Sequence, residues 1–191
     1  MLSAIRLPIT FDAAALAEDV GLMGEDDWVP HFNTSTYEGD WSGVALRSVG
    51  GVARQLYPDP TATASFADTP YLDRCAAARA ALASFECPLL SVRFLRLAAG
   101  AVIREHRDLN LAWEDGELRV HIPVLTNPYV EFLLAGTRIE MREGEAWYLD
   151  FNQKHAVANR GKTNRVHLVV DCVVNEWVTQ LLARGEGLQA T

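Results

Sequence analysis

Two histidines and an aspartate, His106, Asp108 and His155, stand in the pattern H-x-D…H. Two imidazoles and one carboxylate can take one face of an octahedral metal and leave three positions open, the arrangement by which non-haem Fe(II) activates oxygen. His106 and Asp108 are two residues apart, so on an extended strand both side chains project from the same face. Each residue alone has a plainer reading: a hydrogen-bonded core histidine, a surface aspartate, a histidine in a turn. The constellation is more telling, because H-x-D opens a strand-rich region that closes on His155 after the polar turn Phe151-Asn152-Gln153-Lys154.

Two further groups carry charge into apolar strands. Arg165 begins R-V-H-L-V-V-D-C-V-V, where Arg165, His167, Val169 and Asp171 share one face. An arginine facing a sheet interior needs an anionic partner, since an unpaired buried charge is costly. Its planar fork suits a bidentate carboxylate. That carboxylate is equally a neighbouring Asp or Glu or a bound ligand. Arg119 and His121 form a second same-face pair in R-V-H-I-P-V, either at a solvent-facing strand edge or holding another carboxylate beside a metal.

The rest of the chain must position these groups. Residues 1–11 read as a strand, and Asp12 as the N-cap of a helix over 13–23. An aromatic, turn-rich segment from Trp28 to Trp41 leads into a strand at 43–49. Proline punctuation marks 57–70 as a surface loop. Steps of three and four over 71–86 predict a helix. From Leu89 the period changes towards two, giving strands at 89–97, 101–106, 118–124, 130–134, 137–141, 146–149, 155–159 and 165–174, with Gly-, Asn- and Pro-containing turns between them. Residues 175–184 read as a helix and 185–191 as a frayed tail. Strands with regular turns after helices predict a mainly β protein, a jelly roll with N-terminal α-helices outside it.

With 191 residues a single domain is expected: an N-terminal part over 1–88, a core over 89–175, and a C-terminal helix and tail over 176–191. A net charge of −8 excludes non-specific nucleic-acid binding. No apolar run reaches the length of a membrane span. Cys75, Cys87 and Cys172 form no C-x-x-C and leave one unpaired, which suits a reducing cytoplasm.

The blocks H-R-D (106–108), R-V-H-I-P (119–123), M-R-E-G-E-A-W-Y-L-D (141–150), His155 with Asn159, and R-V-H-L-V-V-D (165–171) together resemble the aspartyl/asparaginyl β-hydroxylase family of Fe(II)- and 2-oxoglutarate-dependent dioxygenases, proline hydroxylase-like bacterial members included. The resemblance implies a double-stranded β-helix in which His106, Asp108 and His155 bind iron and Arg165 takes the distal carboxylate of 2-oxoglutarate. It places Arg119 and His121 beside the carboxylate of co-substrate or substrate. The implied reaction uses O2 and 2-oxoglutarate to hydroxylate an unactivated C–H of an amino acid, free or in a peptide. Trp147 and Tyr148 belong to the same pattern and are expected in the core, with Asp150 supporting a turn. His31, Tyr37, Trp41 and Arg47 are candidates for a lid over the substrate, or for aromatics packed on the barrel. The rivals are a cupin-type metalloenzyme without 2-oxoglutarate and a binding module of the same fold.

Overall fold

Period-two alternation dominates the observed architecture, because each long strand has one face turned to a helical layer and the other to the interior of the sandwich. The computed structural model describes residues 3–57 and 63–188. In chain order the strands are β1 (Ala4–Thr10), β2 (Val29–Pro30), β3 (Tyr37–Glu38), β4 (Trp41–Val49), β5 (Phe66–Asp68), β6 (Leu89–Leu97), β7 (Val102–His106), β8 (Glu117–Leu125), β9 (Val130–Leu134), β10 (Thr137–Arg138), β11 (Glu145–Leu149), β12 (His155–Asn159), β13 (Arg165–Val173) and β14 (Glu186–Leu188). The helices are α1 (Ala13–Gly21), α2 (Pro70–Arg74), α3 (Ala76–Leu82) and α4 (Glu176–Ala183).

The strands form two antiparallel sheets. The larger has the order β14-β1-β11-β8-β13-β6-β4-β2, with β5 on β4, and the smaller β10-β9-β12-β7-β3. This is the mainly β jelly roll expected from the sequence. Between the sheets lies one apolar cluster, with Trp41, Leu97 and Leu149 from the larger meeting Ile103, Phe132, Leu134 and Val157 from the smaller. A second cluster covers the outer face of the larger sheet, where Val120, Ile122, Leu168 and Val170 pack against Leu16 of α1, Leu72 of α2, Ala78 of α3 and Val178 of α4. The inner face of the larger sheet is different. There Arg93, Arg119, His121, Arg165, His167 and Asp171 form a buried polar row. Burying six such side chains is costly without partners, so the sandwich is built around a polar site.

Asp12 caps α1 as expected, its Oδ1 accepting from the Ala15 N–H at 3.0 Å. The helix expected over 71–86 is instead two short helices that break at Cys75, whose φ and ψ are −100° and 84°. The cause is a tertiary bond: the buried Asp19 carboxylate of α1 accepts from the Ala78 N–H at 2.7 Å and satisfies a donor in the first turn of α3. Part of the expected 57–70 loop, residues 58–62, lies outside the described residues, and the remainder contributes β5, pinned by Arg47 to Asp68 at 2.5 Å. The expected frayed tail is also corrected. Glu186–Leu188 pairs with β1, while residues 189–191 lie outside the described ones. The expected strand 137–141 shortens to Thr137–Arg138.

Candidate metal and dicarboxylate site

Strand pairing brings the histidines together. His155 opens β12 directly opposite His106 at the end of β7. The segment after β7 is tied back by the Asp108 N–H donating to the Phe151 carbonyl at 3.0 Å. One ligand atom from each of His106, Asp108 and His155 can be chosen such that all lie within 4.8 Å of one another.

The hydrogen bonds orient the three for a cation. His106 Nδ1 lies 2.8 Å from the Arg104 carbonyl, and His155 Nδ1 lies 3.1 Å from the Gln153 carbonyl. A carbonyl only accepts, so both Nδ1 atoms carry the proton and both Nε2 lone pairs are free, as metal ligation requires. Burial, above all, pushes the His155 pKa down to about 4, with the imidazole of His106 adding to it, so His155 is neutral at neutral pH. Asp108 gives Oδ2 to Arg119 Nη1 at 2.8 Å and leaves Oδ1 facing His106 Nε2 at 3.6 Å.

Arg119 is committed elsewhere on its remaining arms. Asp171, its register partner across β8 and β13, accepts Nε at 2.6 Å and Nη2 at 3.1 Å. Asp171 also accepts from Arg93 Nη2 at 3.0 Å. Arg93 was not singled out from the sequence. It is fully buried, its Nε and Nη1 have no partner among the described residues, and its guanidinium sits 5.0 Å from the Tyr57 ring centroid. The signal was present in β6, where S-V-R-F-L-R-L inserts cations into an apolar strand.

Arg165 is the outlier. It is buried, and among the described residues it has no carboxylate partner and its Nε has no partner. Its Nη2 donates to His167 Nδ1 at 3.0 Å. Burial alone pushes its pKa down to about 9. Since a guanidinium only donates, His167 Nδ1 must be an acceptor. His121 Nδ1, 3.2 Å from that same atom, is then the donor, and the unpartnered His121 Nε2 is a bare lone pair that suits an ordered donor such as water. The interior therefore offers three convergent ligand atoms, an unsatisfied buried guanidinium further along β13, and buried polar atoms without partners. That donor set fits a divalent cation chelated by an anionic ligand whose far end reaches Arg165.

Beside the triad opens a cavity of about 600 Å³, walled by His106, Asp108, Arg119 and Asp171 on one side and by His31, Trp41, Tyr57 and Phe66 on the other. His31 stacks on Trp41 with ring centroids 3.6 Å apart and planes 8° from parallel. Its Nδ1 accepts from the Asn33 N–H at 3.2 Å, which leaves Nε2–H as a donor. Tyr37 meets Trp41 edge-on at 5.7 Å. Of the aromatic segment's candidates, His31 and Trp41 line this cavity, whereas Arg47 is bound to Asp68 and to the Phe66 and Leu89 carbonyls, off its wall. Trp147 and Tyr148 are buried, and Asp150 caps its turn through the Asn152 N–H at 3.1 Å.

The family described as Aspartyl/Asparaginyl beta-hydroxylase matches residues 13–174. An L-proline cis-4-hydroxylase of Rhizobium meliloti (strain 1021) is 27% identical over 169 residues, covering 85% of this chain, and the chain spans 58% of the length of that relative. Two solved structures share the fold: an oxidoreductase of the 2OG-Fe(II) oxygenase family from Burkholderia pseudomallei (TM-score 0.54, 18% identity, 91% of this chain and 88% of that one) and a prolyl-4-hydroxylase from Pseudomonas putida (TM-score 0.55, 14% identity, 92% and 94%). Among the described residues, no helix is long and apolar enough to cross a membrane.

Proposed function

This chain belongs to the aspartyl/asparaginyl beta-hydroxylase family, and we propose that it is an Fe(II)- and 2-oxoglutarate-dependent dioxygenase that hydroxylates an unactivated C–H bond of an amino acid, free or within a peptide. The observation that carries the reading is Arg165: a buried guanidinium with no anion among the described residues, on the same inner sheet face as the groups beside the triad. A protein keeps such a group when a ligand completes it, because an uncompensated buried charge costs several kcal/mol. A cupin-type centre without a dicarboxylate gives that arginine nothing to hold.

In this reading His106 and His155 present Nε2 lone pairs and Asp108 one oxygen to iron. Arg119 holds Asp108 in place rather than touching the metal. Arg165 receives the far carboxylate of 2-oxoglutarate in its fork. Bound iron, 2-oxoglutarate and O2 supply the oxidising power, the co-substrate leaving as succinate and CO2 while one oxygen atom goes to the C–H bond. Arg119 and Asp171 stand on the cavity wall beside the triad, and Arg93 backs them through its bond to Asp171. The His31–Trp41 stack and Tyr57 form a water-excluding wall against its hydrocarbon part. The free thiols of Cys75, Cys87 and Cys172 accord with a cytoplasmic setting.

Purified protein, Fe(II), 2-oxoglutarate and O2 should release succinate and a hydroxylated product in equal amounts when the right member of an amino-acid panel is present. Proline, aspartate and asparagine, free and as peptides, are the first panel. Tight iron binding with no affinity for 2-oxoglutarate contradicts the proposal.

A further inference from the structure

A second cavity, of about 470 Å³, enters the sandwich from its flank, between the β8–β9 loop, β9 and the segment that joins β10 to β11. It shares no lining residue with the cavity beside the triad. Arg138, Glu140, Arg142 and Glu143 stand exposed at its rim, with Arg138 Nε 3.8 Å from Glu140 Oε1, Ile139 and Met141 form its wall, and its floor is the buried pair Phe132 and His167.

The floor matters because of what lies behind it. His167 Nδ1 accepts from Arg165 Nη2 at 3.0 Å, so the flank cavity ends one side chain short of the unpaired guanidinium. Nδ1 being the acceptor, His167 carries its proton on Nε2, and that N–H has no protein partner among the described residues. The two cavities are the two ends of one inner strand face. Asp171 of β13 lines the first and His167 lines the second, about 13 Å apart at strand rise.

A dicarboxylate held between the triad and Arg165 has its far end against the second cavity. Its near end lies behind whatever fills the first. With an amino acid seated against Trp41 and Asp108, the shortened dicarboxylate product would be shut in if the first mouth were the sole way out. We propose that the flank cavity is a separate passage for dicarboxylates, admitting 2-oxoglutarate and releasing succinate, with the His167 N–H as the first internal donor they meet and with Arg138 and Arg142 offsetting Glu140 and Glu143 at its rim. This rests on the reading of the site given above.

The experiment is stopped-flow absorbance of anaerobic Fe(II)-loaded protein mixed with 2-oxoglutarate, following the visible charge-transfer band of chelation, which needs no turnover. Met141→Trp fills the passage without touching the triad. It should slow both the appearance of the band and its loss on competition by about one decade, with Kd nearly unchanged, while amino-acid affinity measured calorimetrically stays put. Leu109→Trp, on the exposed rim of the first cavity, should slow amino-acid binding and leave 2-oxoglutarate association alone. The surface change Arg138→Glu with Arg142→Glu breaks the exposed Arg138–Glu140 pair, leaves four carboxylates at the rim, and should slow 2-oxoglutarate association most at low salt. Unchanged association in Met141→Trp and in the charge-reversed variant, or slower 2-oxoglutarate binding in Leu109→Trp, overturns the passage. A wild type that gives no band overturns the site reading itself, whereas a normal wild-type band with unaltered variant rates overturns the passage alone.

Discussion

Replacing Asp171 with asparagine keeps the shape of the side chain and removes its charge, and two buried guanidiniums depend on that charge. Asp171 accepts from Arg119 at 2.6 and 3.1 Å and from Arg93 at 3.0 Å. All three side chains are nearly out of water, with residue exposures of 7%, 8% and 0%. Breaking a buried, hydrogen-bonded ion pair while leaving its partner in place costs about 3–5 kcal/mol. For a chain of this size each kcal/mol is about 2–4 °C in Tm, so Asp171→Asn should lower the apo-protein's Tm by about 6–20 °C. No cavity is created, so lost packing does not contribute. The pH dependence isolates the electrostatic cause. Burial alone would raise the Asp171 pKa, but Arg119 and Arg93 hold it below the usual carboxylate range. A folded pKa below the unfolded one means that the stabilisation is complete above the unfolded value, about 4, and is lost as the pH falls through the folded value. Scanning calorimetry should therefore show a wide gap between wild type and Asp171→Asn at pH 7 that closes in acid. A gap under about 1 °C at pH 7, or one that persists undiminished in acid, refutes the reasoning.

Arg165→Met should separate stability from binding: the apo-protein's Tm holds or rises, because an uncompensated buried cation is removed, while 2-oxoglutarate Kd by calorimetry weakens about 30-fold or more. Because burial depresses the Arg165 pKa to about 9, its destabilising contribution is full below that value and fades as the pH rises towards the unfolded one. Arg119→Gln should weaken Mn(II) affinity by about 10–100-fold in a calorimetric titration, since Asp108 loses the arm that aims it; unaltered affinity would show that Asp108 needs no support. Gly144→Ala should lower the urea midpoint by the equivalent of about 1–3 kcal/mol, because Gly144 has φ +80° and a Cβ there would sit 2.5 Å from the Phe11 carbonyl oxygen. Mn(II) affinity should not change in that variant.

Local pattern was enough to place β6, β9 and β12 at their observed ends, because each is bounded by glycine-, asparagine- or proline-bearing turns. It failed where a distant residue decides. The break at Cys75 depends on Asp19 reaching Ala78, and the strand Glu186–Leu188 exists because β1 offers an open edge and Arg6 an ion pair to Glu186. Neither is visible in a local window. The candidate site divides in the same way. The H-x-D pattern stands out by its spacing, and His155 and Arg165 because they open apolar strands with ionisable groups. That Arg119 is spent on Asp171 and Asp108, that Arg93 shares Asp171 with it, and that Arg47 is spent on Asp68 all follow from register between strands, which the sequence does not reveal.

Anaerobic addition of Fe(II) and then 2-oxoglutarate to the purified chain tests the proposed site most directly. Chelation should give a weak visible metal-to-ligand charge-transfer band in the wild type, abolish it in His155→Ala, and shift its half-saturation to far higher 2-oxoglutarate in Arg165→Met. No band despite stoichiometric bound iron, or the same half-saturation in Arg165→Met as in the wild type, would contradict it.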